Sequence, residues 1–158
     1  MEYNIIYSNT YNKIKNKNYK QFFKYCCDKA PEPEKLLDVE KTVRLAETLF
    51  TLRMFRFSKD KQDLVLISFA FNNLFEHTDK SSFEHPLQAA KFLTECNKEI
   101  RLLDNNEIDF LYKLVSAHSG QWNTSKGSKV RLPEPKNKYQ KFVNMCEYLV
   151  EKGLKFDE

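Results

Sequence analysis

The spacing of apolar residues predicts a chain of α-helices. In several segments apolar side chains recur three or four positions apart, which places them on one face of a helix. Val39, Val43, Ala46, Leu49, Phe50 and Met54 form one such stripe. We expect helices over about 18–29, 38–54, 63–75, 86–96, 104–115 and 137–152, with a polar break at 58–61.

Local signals mark the ends of several predicted helices. Asp38 is a favourable N-cap, and Pro86 suits the first position of a helix. Asp104 and Glu107 form an aspartate version of the capping box. Pro31 and Pro33 should end the first helix, and Gly153 should end the last.

Composition supports a single all-α domain. The 158 residues contain only three glycines and no Pro/Gly/Ser-rich linker, so one helical bundle of about six helices over 1–158 is expected. Strand content should be negligible, and residues 1–16 are expected to be extended, at 3–7, or poorly ordered. The chain lacks an apolar run of membrane-spanning length and the pattern of a signal peptide, which predicts a soluble cytoplasmic protein.

Positive charge is concentrated in two segments, although the net charge is only +4. Residues 11–29 carry six lysines and one aspartate, and residues 123–141 carry five lysines, one arginine and one glutamate. Such segments could attract a phosphate-bearing partner or form a solvated surface. Lysine outnumbers arginine 21 to 5 and no nucleic-acid-binding motif is present, so nucleic acid is not an expected partner. Aromatic residues within 11–29 fit either a stacking surface or a core face.

The four cysteines are expected to be free thiols. Cys26, Cys27, Cys96 and Cys146 have neither CxxC spacing nor the pattern of a disulfide framework. The adjacent pair, Cys26 and Cys27, would point about 100° apart on a helix, which is poorly suited to chelating a metal.

Asn72 and Asn73 lie near the end of the most apolar run of the chain, residues 63–75. An unpaired buried amide costs roughly 1–3 kcal/mol, so the pair is either hydrogen-bonded within the fold or faces a polar cavity. A cavity is favoured by other polar groups at predicted helix ends and loops: His85, His118, Gln121 and Trp122.

Several motifs resemble the small HD-domain phosphohydrolases of bacteria and phages. They are Glu-His-Pro-Leu-x-Ala-Ala from residue 84, Ala-His-Ser-Gly-Gln-Trp from 117, Leu-Pro-Glu-Pro-Lys from 132 and Phe-Val-Asn-Met-Cys-Glu-Tyr-Leu from 142. The resemblance covers about 38–152 and implies a helical HD-like fold. It would place the family's metal-binding His-Asp doublet at Asn72 and Asn73, its first histidine near Val39 and its last aspartate at Glu147.

The chain departs from the family pattern at each of these primary ligands. Amides and a valine are poor or impossible ligands for a divalent metal, so we expect a catalytically inactive HD-like protein without a cofactor. Its site would bind a nucleotide or other phosphorylated small molecule through Asn72, Asn73, His85, His118, Gln121, Trp122 and Glu147. A phage origin, implied by the resemblance, would suit sequestration of a host-defence signal.

Two alternatives remain. A metal-dependent nucleotide phosphohydrolase could use a rebuilt site at His85, His118 and Glu147, since three ligands suffice for a catalytic zinc. A protein-interaction module could instead dock an acidic partner on the lysine-rich surface.

Overall fold

A computed structural model describes residues 10–30, 39–72, 85–117 and 135–153 of the protein. Within these ranges the chain is helical and contains no strand, which confirms the all-α prediction. Six α-helices have described bounds: α1 (Lys17–Lys29), α2 (Glu40–Phe50), α3 (Lys59–Asn72), α4 (His85–Ile100), α5 (Asn105–Ser116) and α6 (Lys138–Glu151), with a 3-10 turn at Arg53–Phe55. Residues 10–13 are helical as well. None of the described helices is long and apolar enough to cross a membrane.

Helix α3 is the centre of the bundle. Ten consecutive residues, from Asp63 to Asn72, are buried, so this helix is covered on all sides rather than along one stripe. It contacts each of the other five helices. The polar end of α3 therefore lies where several helices meet.

Three of the five aromatic residues in the first basic segment lie in the core. Tyr19, Phe22 and Phe23 of α1 are buried, and the Phe23 ring meets Phe71 of α3 edge to face at 5.8 Å between centroids. The Tyr19 hydroxyl donates a hydrogen bond to Glu107 at the start of α5. These three rings are core residues and do not form a stacking surface for bases.

The prediction for the second helix was too long at its C-terminal end. Helix α2 ends at Phe50, and Met54 is 75% exposed in the turn that follows. Phe50 at the end of the helix, and Phe55 and Phe57 after it, all pack against Phe142 of α6. Their ring centroids lie 5.1–5.2 Å from the centroid of the Phe142 ring. A continuing helix would turn Phe55 away from the face that carries Phe50, so aromatic packing favours the break.

Two further helix boundaries differ from the prediction. The predicted polar break at 58–61 mostly belongs to the first turn of α3, where Ser58 Oγ accepts a hydrogen bond from the Lys61 amide. Helix α4 continues to Ile100, beyond the predicted end at Cys96. It stops at Arg101, which adopts a left-handed conformation with φ of 53°.

Several end signals are confirmed. The capping box of Asp104 and Glu107 begins α5, and Gly153 follows α6 with a φ of 85°. The residue before α2 is Val39, which provides no side-chain cap. Asp38, Pro31, Pro33 and the segment 3–7 lie outside the described residues.

Candidate polar site between α3, α5 and α6

The structure describes the side chains of two predicted site residues, Asn72 and Glu147, and these two are in direct contact. Asn72 is the last residue of α3 and is fully buried, and its Nδ2 donates a hydrogen bond to Glu147 Oε1. Glu147 belongs to α6 and is half-buried. A pair 75 residues apart in the chain thus joins the C-terminal ends of two core helices.

The Asn72 side chain is only half satisfied. Its Oδ1 is buried, and no described group donates a hydrogen bond to it. The amide cannot simply be turned over, because its oxygen would then face the oxygen of the Glu147 carboxylate. A buried acceptor without a donor costs roughly 1–3 kcal/mol, which is the size of a functional interaction.

A polar stripe on α6 extends from Glu147 towards the start of the helix. Gln140, Asn144 and Glu147 are spaced at i, i+4 and i+7, so they share one face. Asn144 Nδ2 donates to the Ala117 carbonyl at 3.4 Å, and Gln140 Nε2 donates to the Lys113 carbonyl at 3.2 Å.

The stripe brings the ends of α3 and α5 to one side of α6. Asn144 and Glu147 are one helical turn apart, and the first contacts the residue that follows α5 while the second contacts the last residue of α3. The Asn144 amide supplies a donor to the Ala117 carbonyl just after α5, and the Gln140 amide adds a donor to the Lys113 carbonyl, which also accepts from the Ala117 backbone amide. The result is a polar region at the junction of α3, α5 and α6.

The carboxylate of Glu147 influences the pKa of the neighbouring Cys146 thiol. Burial, together with the nearby Glu147 carboxylate, raises the pKa of Cys146 to about 12. Cys146 is therefore a neutral, packed core residue at neutral pH and is poorly suited to act as a nucleophile.

The other predicted site residues cannot be placed with this pair. Asn73 and His118 directly follow Asn72 and Ala117 in the sequence, but they lie outside the described residues, as do Gln121 and Trp122. The backbone of His85 begins α4, but the His85 side chain is not among the parts of the chain that the structure describes. A site that combines all seven residues stays a prediction.

The described residues do not fit the HD-type metal site that the resemblance implies. Val39 is a buried hydrocarbon side chain without a donor atom, and Asn72 turns its Nδ2 rather than its oxygen towards Glu147. Within the described ranges, no group of three or more His, Cys, Asp or Glu side chains is arranged to hold a metal ion. The rebuilt site with His85 and His118 remains a prediction.

Sequence reasoning missed Gln140 and Asn144. Both amides lie on α6 at helical spacing from Glu147, and that spacing is the signal in the sequence that could have indicated them.

Sequence reasoning also missed Asp63, which is buried at the start of the apolar run and accepts hydrogen bonds from the backbone amides of Lys15 and Asn16 at 2.9–3.2 Å. Asp63 fixes the chain ahead of α1 and is structural.

Comparison with models of known protein families, with curated proteins and with solved structures finds no match to this chain.

Proposed function

We propose that the protein is a non-catalytic helical domain that binds a nucleotide or a related phosphorylated small molecule at the Asn72–Glu147 pair. The observation that carries the proposal is the buried Asn72 Oδ1, an acceptor to which no described group donates. A buried polar atom of this kind is stabilised when a ligand supplies the missing donor.

A nucleobase offers a suitable donor. The amino and imino groups of bases present N–H donors along one edge, and the acceptors at this junction are an amide oxygen and a carboxylate. The negative charge of Glu147 would repel a phosphate group. The base end of the ligand should therefore be nearest to Asn72.

The charge distribution of α6 gives the phosphate end a separate location. Lys136, Lys138 and Lys141 are exposed around the start of α6, whereas Glu147 lies near its end. With a rise of 1.5 Å per residue, these lysines are about 9–17 Å before Glu147 along the helix axis. At 100° per residue, Lys138 lies about 180° and Lys141 about 120° around the helix from Glu147. The phosphate end would therefore be attracted by the positive charge around the start of α6 rather than held directly by these two lysines.

A binding role is favoured over hydrolysis because of the donor set. Metal-assisted phosphoester hydrolysis needs an ion that activates water and neutralises the developing charge, and Val39 and Asn72 are unsuitable ligands at two positions where the resemblance implies them. A protein that holds a nucleotide without hydrolysing it could sequester a signal, and this role would suit a phage protein.

Calorimetry and thermal unfolding with mono-, di- and cyclic nucleotides test the proposal. We expect at least one nucleotide to bind and raise the unfolding temperature, whereas inorganic phosphate alone should have little effect. Asn72→Leu, which removes the acceptor with little change in volume, should weaken binding by about 10–100-fold, as expected for roughly 1.4–3 kcal/mol.

Asn97→Ala provides a matched control. Asn97 hydrogen-bonds both backbone groups of Leu103 in the turn between α4 and α5, so its loss should lower stability but leave nucleotide affinity unchanged. Absence of binding across the panel would reject the proposal and favour a protein-interaction module. Metal-dependent turnover of a nucleotide would instead support the rebuilt phosphohydrolase site.

A further inference from the structure

Two exposed apolar side chains lie close together in the turn between α2 and α3. Among the described residues, three large apolar side chains are exposed, and two of them are Leu52 and Met54, at 46% and 75%. Single exposed apolar residues are common, but two within three positions form a small apolar patch. Arg53 and Arg56 are exposed in the same turn. The turn therefore presents apolar and positively charged side chains together.

Aromatic packing fixes this turn against the bundle. The rings of Phe55 and Phe57 pack on Phe142 of α6, at 5.1 and 5.2 Å between centroids. The Phe55 backbone amide also donates a hydrogen bond to the Leu52 carbonyl at 3.1 Å. Because the two rings anchor the turn from inside, residues 51–54, which are all exposed, project from the surface.

Positive charge extends from the turn to the start of α6. Residues 51–61 and 135–141 carry seven basic side chains and one acidic side chain, so together they are more positive than the whole chain, whose net charge is +4. The two segments are in contact, since the Phe57 and Tyr139 ring centroids are 4.7 Å apart. The Lys138 ammonium group lies 5.7 Å from the centre of the Phe57 ring. Together these segments form one surface, the basic turn surface.

The charge of the basic turn surface is available to a partner outside the chain. In the part of the chain that the structure describes, no carboxylate forms an ion pair with Arg53, Arg56 or Lys138. Nucleic acid fits this surface poorly, because Leu52 and Met54 offer no ring on which a base could stack. An anionic membrane fits both features, since it attracts basic side chains and accepts apolar side chains below its headgroups.

We propose that the basic turn surface docks the protein reversibly on an anionic lipid bilayer. Leu52 and Met54 enter the boundary between headgroups and acyl chains, while the flanking arginines and lysines attract the negative headgroups. Two apolar side chains bury little area, so the attachment is peripheral and depends on ionic strength. The surface does not include Asn72 or Glu147, and docking does not require a bound nucleotide.

Co-sedimentation of the full-length protein with vesicles tests the proposal. We expect binding to phosphatidylcholine vesicles that contain phosphatidylserine, weaker binding as salt is added, and little binding to phosphatidylcholine alone. Arg53→Gln with Arg56→Gln should weaken binding by about 10–30-fold, because each basic side chain near an anionic surface contributes about fivefold. Leu52→Ser with Met54→Ser should weaken it by about 10–50-fold, because less apolar area is buried.

The other basic segment provides a matched control. Lys17 and Lys24 are exposed on α1, so Lys17→Gln with Lys24→Gln removes the same charge from a different surface. Vesicle binding should be nearly unchanged in this variant. An equal loss of binding in the lysine variant would show adsorption by overall charge and would overturn the proposal. Absence of any preference for phosphatidylserine would overturn it in favour of an acidic protein partner.

A fluorescent label tests whether the turn enters the bilayer. All four native cysteines are buried, so Met54→Cys introduces an accessible thiol that takes an environment-sensitive dye selectively. Its emission should move to shorter wavelength with vesicles that contain phosphatidylserine. The same dye at Lys91→Cys, an exposed position on α4, should show no such shift. Equal shifts at both positions, or none at position 54, would refute docking through the turn.

Discussion

Exchanging the partners of the Asn72–Glu147 contact tests the central geometry of the candidate site. Asn72→Asp places a second carboxylate against Glu147, in a position from which a donor has been removed. Glu147→Gln in the same chain restores an amide opposite a carboxylate, with the two roles exchanged.

The size of the effect follows from Coulomb repulsion. At an effective dielectric constant of about 20, two unit charges about 4 Å apart repel by about 4 kcal/mol. The folded variant can avoid this repulsion by taking up a proton, which at pH 7 costs a carboxylic acid of ordinary pKa about 4 kcal/mol. We therefore expect Asn72→Asp alone to lower the free energy of unfolding by about 3–4 kcal/mol at pH 7. The double variant should recover to within about 1 kcal/mol of wild type.

Urea unfolding of the wild type, both single variants and the double variant completes the cycle. In Asn72→Asp, the proton shared by the introduced carboxylate and Glu147 raises the pKa of that pair in the folded state, so the folded variant binds more protons than the unfolded chain. Stability of Asn72→Asp should therefore increase as the pH falls from 7 towards 5, relative to wild type. Strictly additive single-variant effects, with no recovery in the double variant, would refute the contact.

Three further predictions concern the scaffold. Arg101→Gly should stabilise the protein by about 0.5–1 kcal/mol in urea unfolding, because glycine adopts the observed φ of 53° without strain; a loss of stability would contradict this conformation. Tyr19→Phe should destabilise by about 1–3 kcal/mol, since it removes the donor to Glu107 within the α1–α5 contact, and an unchanged urea midpoint would argue against that bond. Burial raises the pKa of Asp63 above its ordinary value, although the hydrogen bonds from the backbone amides oppose this shift. The shift therefore stabilises the folded state most when the pH is below the ordinary pKa, and this stabilisation is lost as the pH rises through the pKa of the folded state. The stability difference between wild type and Asp63→Asn should therefore shift in favour of the amide variant as the pH increases from about 3, and a difference independent of pH would reject the raised pKa.

The number and order of the helices follow from local rules that a sequence displays. The box at Asp104 and Glu107 and the glycine after α6 act over three or four residues, so their effects could be predicted. The end of α2 could not, because it depends on Phe55 and Phe57 packing against Phe142, which is distant in the sequence. Met54 fits the apolar stripe by spacing and yet is exposed, since long-range packing determines where that stripe stops.

The candidate site shows the same limit. The energetic cost of a buried amide identified Asn72 from the sequence, and the resemblance to HD-domain proteins pointed to Glu147. The hydrogen bond between Asn72 and Glu147 depends on the relative rotation of α3 and α6, which apolar periodicity does not specify. The same rotation determines that the Asn72 amide oxygen has no described donor. Gln140 and Asn144 offered only their spacing from Glu147, because an amide on a partly polar helix is not distinctive until its partner is known.

The central position of α3 has a consequence for how the protein opens. Because this helix touches all five others, exposing its backbone amides requires every one of those interfaces to separate. Hydrogen exchange in the buried part of α3 should therefore proceed only through global unfolding, whereas the ends of outer helices exchange through local fraying. Asn72 lies at the end of that slow-exchanging unit, so the position of its side chain is maintained by the cooperativity of the whole bundle.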